Sequence, residues 1–292
     1  MHWFRKMIAA AMMSFAASAG SLAAQAPVRI VAAENFYGDV AAQIGGSRVT
    51  VQSILNNPEQ DPHMFEASPS IARALTHAQL VVYNGADYDP WMEKLLSATP
   101  APERRAIVAS QLRGTRPGAN PHLWYDPATM PAVAEAIARE LSALDPDGSA
   151  LYQANLAKIS HSLAELQQRI AAIRARYAGT PVTATEPVFG YMSDALGFTM
   201  RNQAFQLAIM NDTEPSASQI QAFEDDLKAN QVKLLFYNSQ EEDSFTKRVK
   251  RIAGEHHVPI VGVTETMPEG MHFQSWVAGQ LSDIQAKLSA RP

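Results

Sequence analysis

The sequence predicts an α/β protein of two lobes, each with a mainly parallel four-stranded sheet flanked by helices, joined by one long rigid helix. Short apolar runs rich in β-formers alternate with helical patterns along most of the chain, which is typical of parallel sheets. The runs form two groups of four. One long segment of helical spacing, free of Gly and Pro, separates the two groups.

The eight predicted strands are short and bounded by turn-forming residues. In the first lobe they cover residues 28–33, 49–55, 80–84 and 106–110. In the second lobe they cover residues 181–185, 199–205, 233–238 and 259–264. Apolar residues at three- and four-residue steps predict helices over 131–144, 216–229, 245–255 and 273–288.

Residues 149–178 form the predicted linker helix. Apolar side chains recur there at helical spacing, a Pro-Asp-Gly-Ser turn precedes the segment, and Gly179 and Pro181 end it. Bending such a helix would break hydrogen bonds in its interior, so we expect the lobes to move little relative to each other. The lobes are expected over residues 27–148 and 179–292.

Residues 1–26 have the pattern of a cleavable signal peptide. Arg5 and Lys6 precede an apolar run over 7–17, and small residues offer cleavage positions within 23–26. The chain has no cysteine, so neither a disulfide nor a thiolate metal site can form. We therefore expect a soluble periplasmic monomer without a lipid anchor.

Composition restricts the class of partner. The 292 residues are 47% hydrophobic and carry 24 Lys plus Arg against 29 Asp plus Glu, a formal charge of −5. No basic stripe with interleaved aromatics occurs, so we expect no nucleic-acid partner. Zincin, nucleophile-elbow, Walker A and dinucleotide-binding motifs are also absent from the sequence, and we expect no enzymatic activity.

Two Pro-His pairs in the first lobe are candidate metal ligands. His63 follows Asp61-Pro62, and His122 follows Asn120-Pro121. Each histidine taken alone is consistent with an ordinary surface residue. Two imidazoles on constrained loops of one lobe, however, suit a first-row transition metal.

The second lobe offers oxygen or nitrogen ligands at strand ends. Glu186 ends the first strand of that lobe, where open α/β sheets place their ligands, although a carboxylate there could also stabilise a helix N-terminus. In the loop after the last strand, His272 is the favoured further ligand, with Glu269 or Glu265 as substitutes.

With these motifs, the chain resembles the metal-binding solute-binding proteins of zinc and manganese ABC transporters, the cluster A-I type. The segments that carry the resemblance are Ala32–Tyr37, Asp61-Pro62-His63 with Glu66, Asn84-Gly85 with Trp91, and Asn120-Pro121-His122 with Asp126-Pro127. The resemblance implies one divalent metal ion held between the lobes by four side chains. It also implies an ABC-transporter permease as partner and, through it, a cytoplasmic ATPase.

Carried over to this chain, the resemblance matches His63 and His122 to the two histidines of the first lobe. Glu186 matches a position that is His in many zinc members and Glu in manganese-type members. The family usually closes its site with an aspartate in the last loop, but residues 264–274 contain none, so the fourth ligand stays open among His272, Glu269 and Glu265.

The identity of the fourth ligand affects which metal ion the site is expected to bind. With His272 the site has three nitrogens and one oxygen, which suits tetrahedral zinc, whereas an oxygen ligand gives a mixed site acceptable to manganese. We expect Zn²⁺ rather than Mn²⁺. Two other functions stay open: a receptor of the same fold that has lost metal and binds another solute or a surface partner, and a secreted metallohydrolase.

Overall fold

A computed structural model of the chain describes residues 26–57, 65, 67–211, 213–240 and 244–290. Two parallel four-stranded sheets form its framework. The first contains β1 (Val28–Glu34), β2 (Val49–Leu55), β3 (Leu80–Tyr83) and β4 (Arg105–Val108), in the order β2-β1-β3-β4. The second contains β5 (Pro181–Ala184), β6 (Thr199–Met200), β7 (Leu234–Asn238) and β8 (Ile260–Val263), in the order β6-β5-β7-β8. The predicted fold class is confirmed.

Helices connect the strands and cover the sheets, as parallel crossovers require. In chain order they are α1 (Asn35–Gly45), α2 (Pro69–His77), α3 (Pro90–Ala98), α4 (Ala109–Arg113), α5 (Thr129–Leu144), α6 (Ser149–Tyr177), α7 (Gly190–Ala195), α8 (Gln203–Met210), α9 (Ala217–Lys228), α10 (Ser244–Glu255) and α11 (Phe273–Ser289). The described helices include none that is long and apolar enough to cross a membrane.

One predicted strand is much shorter than expected. The apolar run at 199–205 forms a strand only over Thr199–Met200, and α8 begins at Gln203. Asn202 ends the extended backbone because it adopts a left-handed conformation, with φ of 57°. Its side-chain amide donates hydrogen bonds to Thr183 and Asp226, which hold that turn in place.

A hydrophobic core runs from one sheet to the other. Phe36 on α1 packs against Trp124, with ring centroids 4.8 Å apart, and against Trp276 of α11. Tyr125 contacts Phe189 at 4.8 Å, and all five rings are buried. Offset and edge-to-face ring pairs each contribute about 0.5–1.5 kcal/mol beyond the burial of their area. The two lobes are therefore packed against each other as well as joined by the chain.

Helix α6 covers the residues expected for the linker, and it packs against both halves of the molecule. On one side it contacts α1 and α5, and on the other it contacts α11. Its Arg169 donates hydrogen bonds to the Ala278 carbonyl, to Ser282 and to Gln285 of α11. The residues predicted to form the signal peptide lie, except for Ala26, outside the described ranges.

A buried carboxylate holds the start of α6 against the first lobe. Asp145 accepts two hydrogen bonds from Arg48, at 2.6 and 2.7 Å, and one from the hydroxyl of Tyr152. The Arg48 guanidinium, despite partial desolvation of the carboxyl, lowers the pKa of Asp145 from 3.8 to about 2. The charged form is thus stabilised in the folded protein.

We expect Asp145→Asn to lower the free energy of unfolding by about 1–3 kcal/mol at pH 7, because it weakens a buried charge-assisted hydrogen-bond cluster. A folded-state pKa below the unfolded one contributes stability above about pH 4, and this contribution is lost as the pH falls through 2. The difference in unfolding free energy between variant and wild type should therefore narrow between about pH 4 and pH 2 in urea unfolding. Asp283→Asn, which removes an exposed i,i+4 pair with Lys287, is the control and should change stability by less than about 0.5 kcal/mol. A gap that stays constant with pH would contradict this role of Asp145.

Candidate metal centre

Three buried ligand side chains meet where loops of the two lobes face each other. His122 precedes a short 3-10 turn, Leu123–Tyr125, of the first lobe. Glu186 lies two residues after the end of β5, and Glu265 lies two residues after the end of β8. Their ligand atoms lie within 4.8 Å of one another, and within the described ranges no other group of three His, Asp or Glu side chains does so.

All three side chains are removed from solvent. Residue exposure is 1% for His122, 5% for Glu186 and 0% for Glu265. Nε2 of His122 lies 3.5 Å from Oε2 of Glu265. Two ligands that share one zinc ion at bond lengths of ~2.1 Å in tetrahedral geometry lie ~3.4 Å apart. The spacing of this pair therefore fits joint coordination of a single ion.

Asn120 determines which nitrogen of His122 faces the group. Its side-chain Oδ1 lies 2.7 Å from Nδ1 of His122 and also accepts the backbone N–H of that residue. Because an amide oxygen only accepts hydrogen bonds, Nδ1 carries a proton, and Nε2 is the ring nitrogen that faces the two carboxylates. Nε2 is buried and makes no hydrogen bond to any residue that the structure describes. This orientation presents Nε2 to an ion bound between the ligands.

Asn238 bridges the two carboxylates. Its side-chain nitrogen donates to Oε2 of Glu186 at 3.1 Å and to Oε1 of Glu265 at 2.6 Å. Asn238 is the last residue of β7, and its own Oδ1 accepts the backbone N–H of Gln240. The amide orients both acids but carries no charge. Buried carboxylates so close together repel each other, and a cation between them removes that cost.

Further acidic and phenolic groups lie behind the ligands in the first lobe. Burial, together with the charges of Glu265 and Glu34, raises the pKa of Tyr88 well above its usual value. Burial and the neighbouring Asp89 likewise raise the pKa of Glu34. Tyr88 therefore stays protonated beside the His122 ring, 6.0 Å away between centroids. The raised pKa values favour the neutral forms of both groups, so neither adds negative charge beside the ligands.

The structure places the expected ligands as follows. It brings His122 and Glu186 together with Glu265, one of the two expected substitutes for the further ligand. His63 lies outside the described residues, as does the neighbouring Glu66. Glu269 is exposed on the loop after β8.

The expectation for His272 needs correction, because this residue lies outside the buried group. Its side chain is 70% exposed, and Nδ1 is 2.7 Å from Oδ1 of Asp39 on α1. His272 stands at the N-cap of α11, well past the end of β8, whereas Glu265 follows that strand closely. The carboxyl end of the strand points Glu265 into the cleft, and the loop has turned outward before His272 is reached.

Sequence reasoning missed the amides that orient the ligands. Asn238 ends a strand in the same way as Glu186, so the rule that selected Glu186 could also have found it. Asn120 stands out in the sequence only as the residue that precedes the second Pro-His pair. Its role depends on a side-chain hydrogen bond that spacing along the chain does not reveal.

Comparisons with known proteins identify a family and several relatives of this chain. The sequence pattern of the family "Zinc-uptake complex component A periplasmic" matches residues 30–287. The manganese ABC transporter substrate-binding lipoprotein PsaA of Streptococcus mitis is 23% identical over 90% of this chain and 89% of its own length. The high-affinity zinc uptake system protein ZnuA of Paracoccus denitrificans is 26% identical over 76% of this chain and 80% of its own.

Among solved structures, the periplasmic zinc binding protein TroA from Treponema pallidum superposes with a TM-score of 0.74. It is 19% identical, and the match covers 90% of this chain and 99% of TroA. The lipoprotein name of the streptococcal relative differs from the expectation of no lipid anchor, and the present chain contains no cysteine. Because the family pattern spans nearly the whole chain, the protein belongs to the family of periplasmic zinc-uptake complex component A.

Proposed function

We propose that this protein is a periplasmic substrate-binding protein that captures a divalent transition metal ion between its lobes. It delivers the ion to an ABC-transporter permease, which is coupled to a cytoplasmic ATPase. The observation that carries the proposal is the buried group of His122, Glu186 and Glu265 at the facing edges of the two lobes. Family membership and the names of the relatives support it.

His63 is proposed as the second imidazole ligand. The Asp61-Pro62-His63 motif repeats the Pro-His pair that presents His122, and it lies in the segment after β2. The donor set would then be two imidazole nitrogens and two carboxylates. Four such donors are a sufficient set for a tetrahedral or five-coordinate transition metal.

The position of Glu265 affects which metal ion the site accepts. A site with three nitrogens depended on His272, which is exposed and bonded to Asp39. Two carboxylates make the site acceptable to Mn²⁺ as well as Zn²⁺, whereas the Irving–Williams order still gives zinc the higher affinity. We propose that both ions bind, that zinc binds more tightly, and that supply decides which ion is carried.

The pattern of residues 1–26 supports export to the periplasm. One relative is named a manganese ABC transporter substrate-binding lipoprotein and another a high-affinity zinc uptake system protein. We therefore propose a monomeric carrier without catalytic activity.

The wild-type protein is expected to bind one equivalent of Zn²⁺ in a titration with a competing chromophoric chelator, and Mn²⁺ more weakly. His122→Ala and Glu265→Gln should each raise the zinc Kd by more than about 100-fold, because a lost ligand costs more than a lost partner of a ligand. His272→Ala is the matched control for His122→Ala, since it removes an exposed imidazole, and should leave the Kd unchanged. No uptake of zinc or manganese by the wild type would reject the proposed function, and a loss confined to His272→Ala would reject the assignment of Glu265.

Asn120→Ala is expected to raise the zinc Kd by about 10–100-fold, the usual effect of removing the partner that orients a metal-binding histidine. The variant leaves every proposed ligand in place but releases Nδ1 of His122, so the ring can rotate and adopt the other tautomer. The same titration measures this effect. Asn155→Ala is the control: it removes a hydrogen bond from an Asn side chain to the Ile44 carbonyl, which involves no proposed ligand, and should leave the Kd unchanged. An Asn120→Ala variant with wild-type affinity would contradict the orienting role.

A further inference from the structure

The loop that carries Glu265 belongs by sequence to the second lobe but is bonded to the first. On one side of Glu265, the hydroxyl of Tyr125 donates to the Thr264 carbonyl at 2.8 Å. On the other side, Asn35 makes two bonds to Met267: its Nδ2 donates to the carbonyl at 2.7 Å, and its Oδ1 accepts the N–H at 2.9 Å. Three hydrogen bonds from the first lobe thus flank the ligand.

Both residues of the first lobe are themselves fixed. Tyr125 is fully buried, and its hydroxyl accepts a hydrogen bond from Gln280 at 2.6 Å. Its ring contacts Phe189 and lies 5.5 Å from Trp276. Asn35 is the first residue of α1, directly after β1, so its backbone belongs to the framework of the first sheet. These anchors leave little freedom for the groups that hold the loop.

The second lobe holds the same loop from the opposite direction. Oε1 of Gln240 accepts the backbone N–H groups of Glu265 and Thr266, at 2.5 and 3.2 Å, and its Nε2 donates to Oγ1 of Thr266. The backbone from Thr264 to Met267 is therefore bonded on both sides of the cleft. These hydrogen bonds hold the backbone on both sides of Glu265 through protein groups alone.

We propose that Asn35 and Tyr125 are positioning residues that hold Glu265 from the first lobe. This inference rests on the proposed function and adds to it that the centre is assembled across the lobes in the metal-free protein. Preorganisation of this kind lowers the cost of ordering ligands during binding. Asn35 and Tyr125 act through the backbone that carries Glu265.

The competing explanation is that these bonds only hold the lobes together. A double-mutant cycle distinguishes the two explanations, because substitutions of residues that act through a common group have non-additive effects on the binding free energy. Asn35→Ala and Tyr125→Phe are each made in the wild type, in Glu265→Gln and in Glu186→Gln, and the zinc Kd is measured for all. Asn155→Ala and Tyr152→Phe are the matched controls, since they break similar bonds elsewhere.

We expect each positioning variant to raise the zinc Kd roughly tenfold in the wild type and in Glu186→Gln, a magnitude typical of groups one step removed from the metal. In Glu265→Gln the same variants should change the Kd by less than about twofold, because the group they position no longer binds the metal as before. Equal fold changes in all three backgrounds would overturn the proposal, as would no change in the wild type.

Hydrogen exchange of the metal-free protein provides an independent measurement. The Met267 amide, which donates to Asn35, should exchange at least about tenfold faster in Asn35→Ala, and amides 264–267 should lose protection in Tyr125→Phe. Unchanged exchange in both would show that the bonds do not hold the loop. Absence of metal binding by the wild type would reject the proposed function instead, and the exchange data still decide whether the loop is held. Thermal unfolding shows which variants fold. If only one of Asn35→Ala and Tyr125→Phe folds, the double-mutant cycle can be carried out with that variant alone.

Discussion

The repulsion between two buried carboxylates is the constraint on which this structure depends. Glu186 and Glu265 lie in a water-excluded cleft together with the imidazole of His122, and the neutral amide of Asn238 is the donor that joins them. Such an arrangement is costly without a cation and favourable with one. The fold must therefore hold the two carboxylates close together despite their mutual repulsion. Much of the neighbouring structure contributes to this.

Hydrogen bonds and packing across the cleft meet that requirement. Asn120 of the first lobe donates to the Pro187 carbonyl, next to Glu186, and accepts from Tyr191 through its own carbonyl. The same residue orients His122. These bonds, the aromatic core and the packing of α6 against both lobes together oppose a large separation of the lobes. A protein built in this way is suited to binding an ion with small local movements, in contrast to a receptor that closes around a hinge.

Much of this architecture could be predicted from the sequence. Alternating apolar runs and helical spacing are local properties, so all eight strands and the long helix lie at the predicted places, apart from the shortened strand before Asn202. Glu186 could be found because strand ends in parallel sheets collect functional groups, and His122 because its Pro-His pair repeats that of His63. The position of Glu265 relative to His272 could not, because the path of the loop after β8 depends on bonds from Gln240, Asn35 and Tyr125, which are distant in sequence.

The most direct test of this account is the anomalous difference density of a crystal of the zinc-loaded protein. We expect one strong peak within ~2.2 Å of Nε2 of His122 and of carboxylate oxygens of Glu186 and Glu265, with His63 completing the coordination. A peak at His272 and Asp39 instead, or no peak in the cleft at saturating zinc, would contradict it.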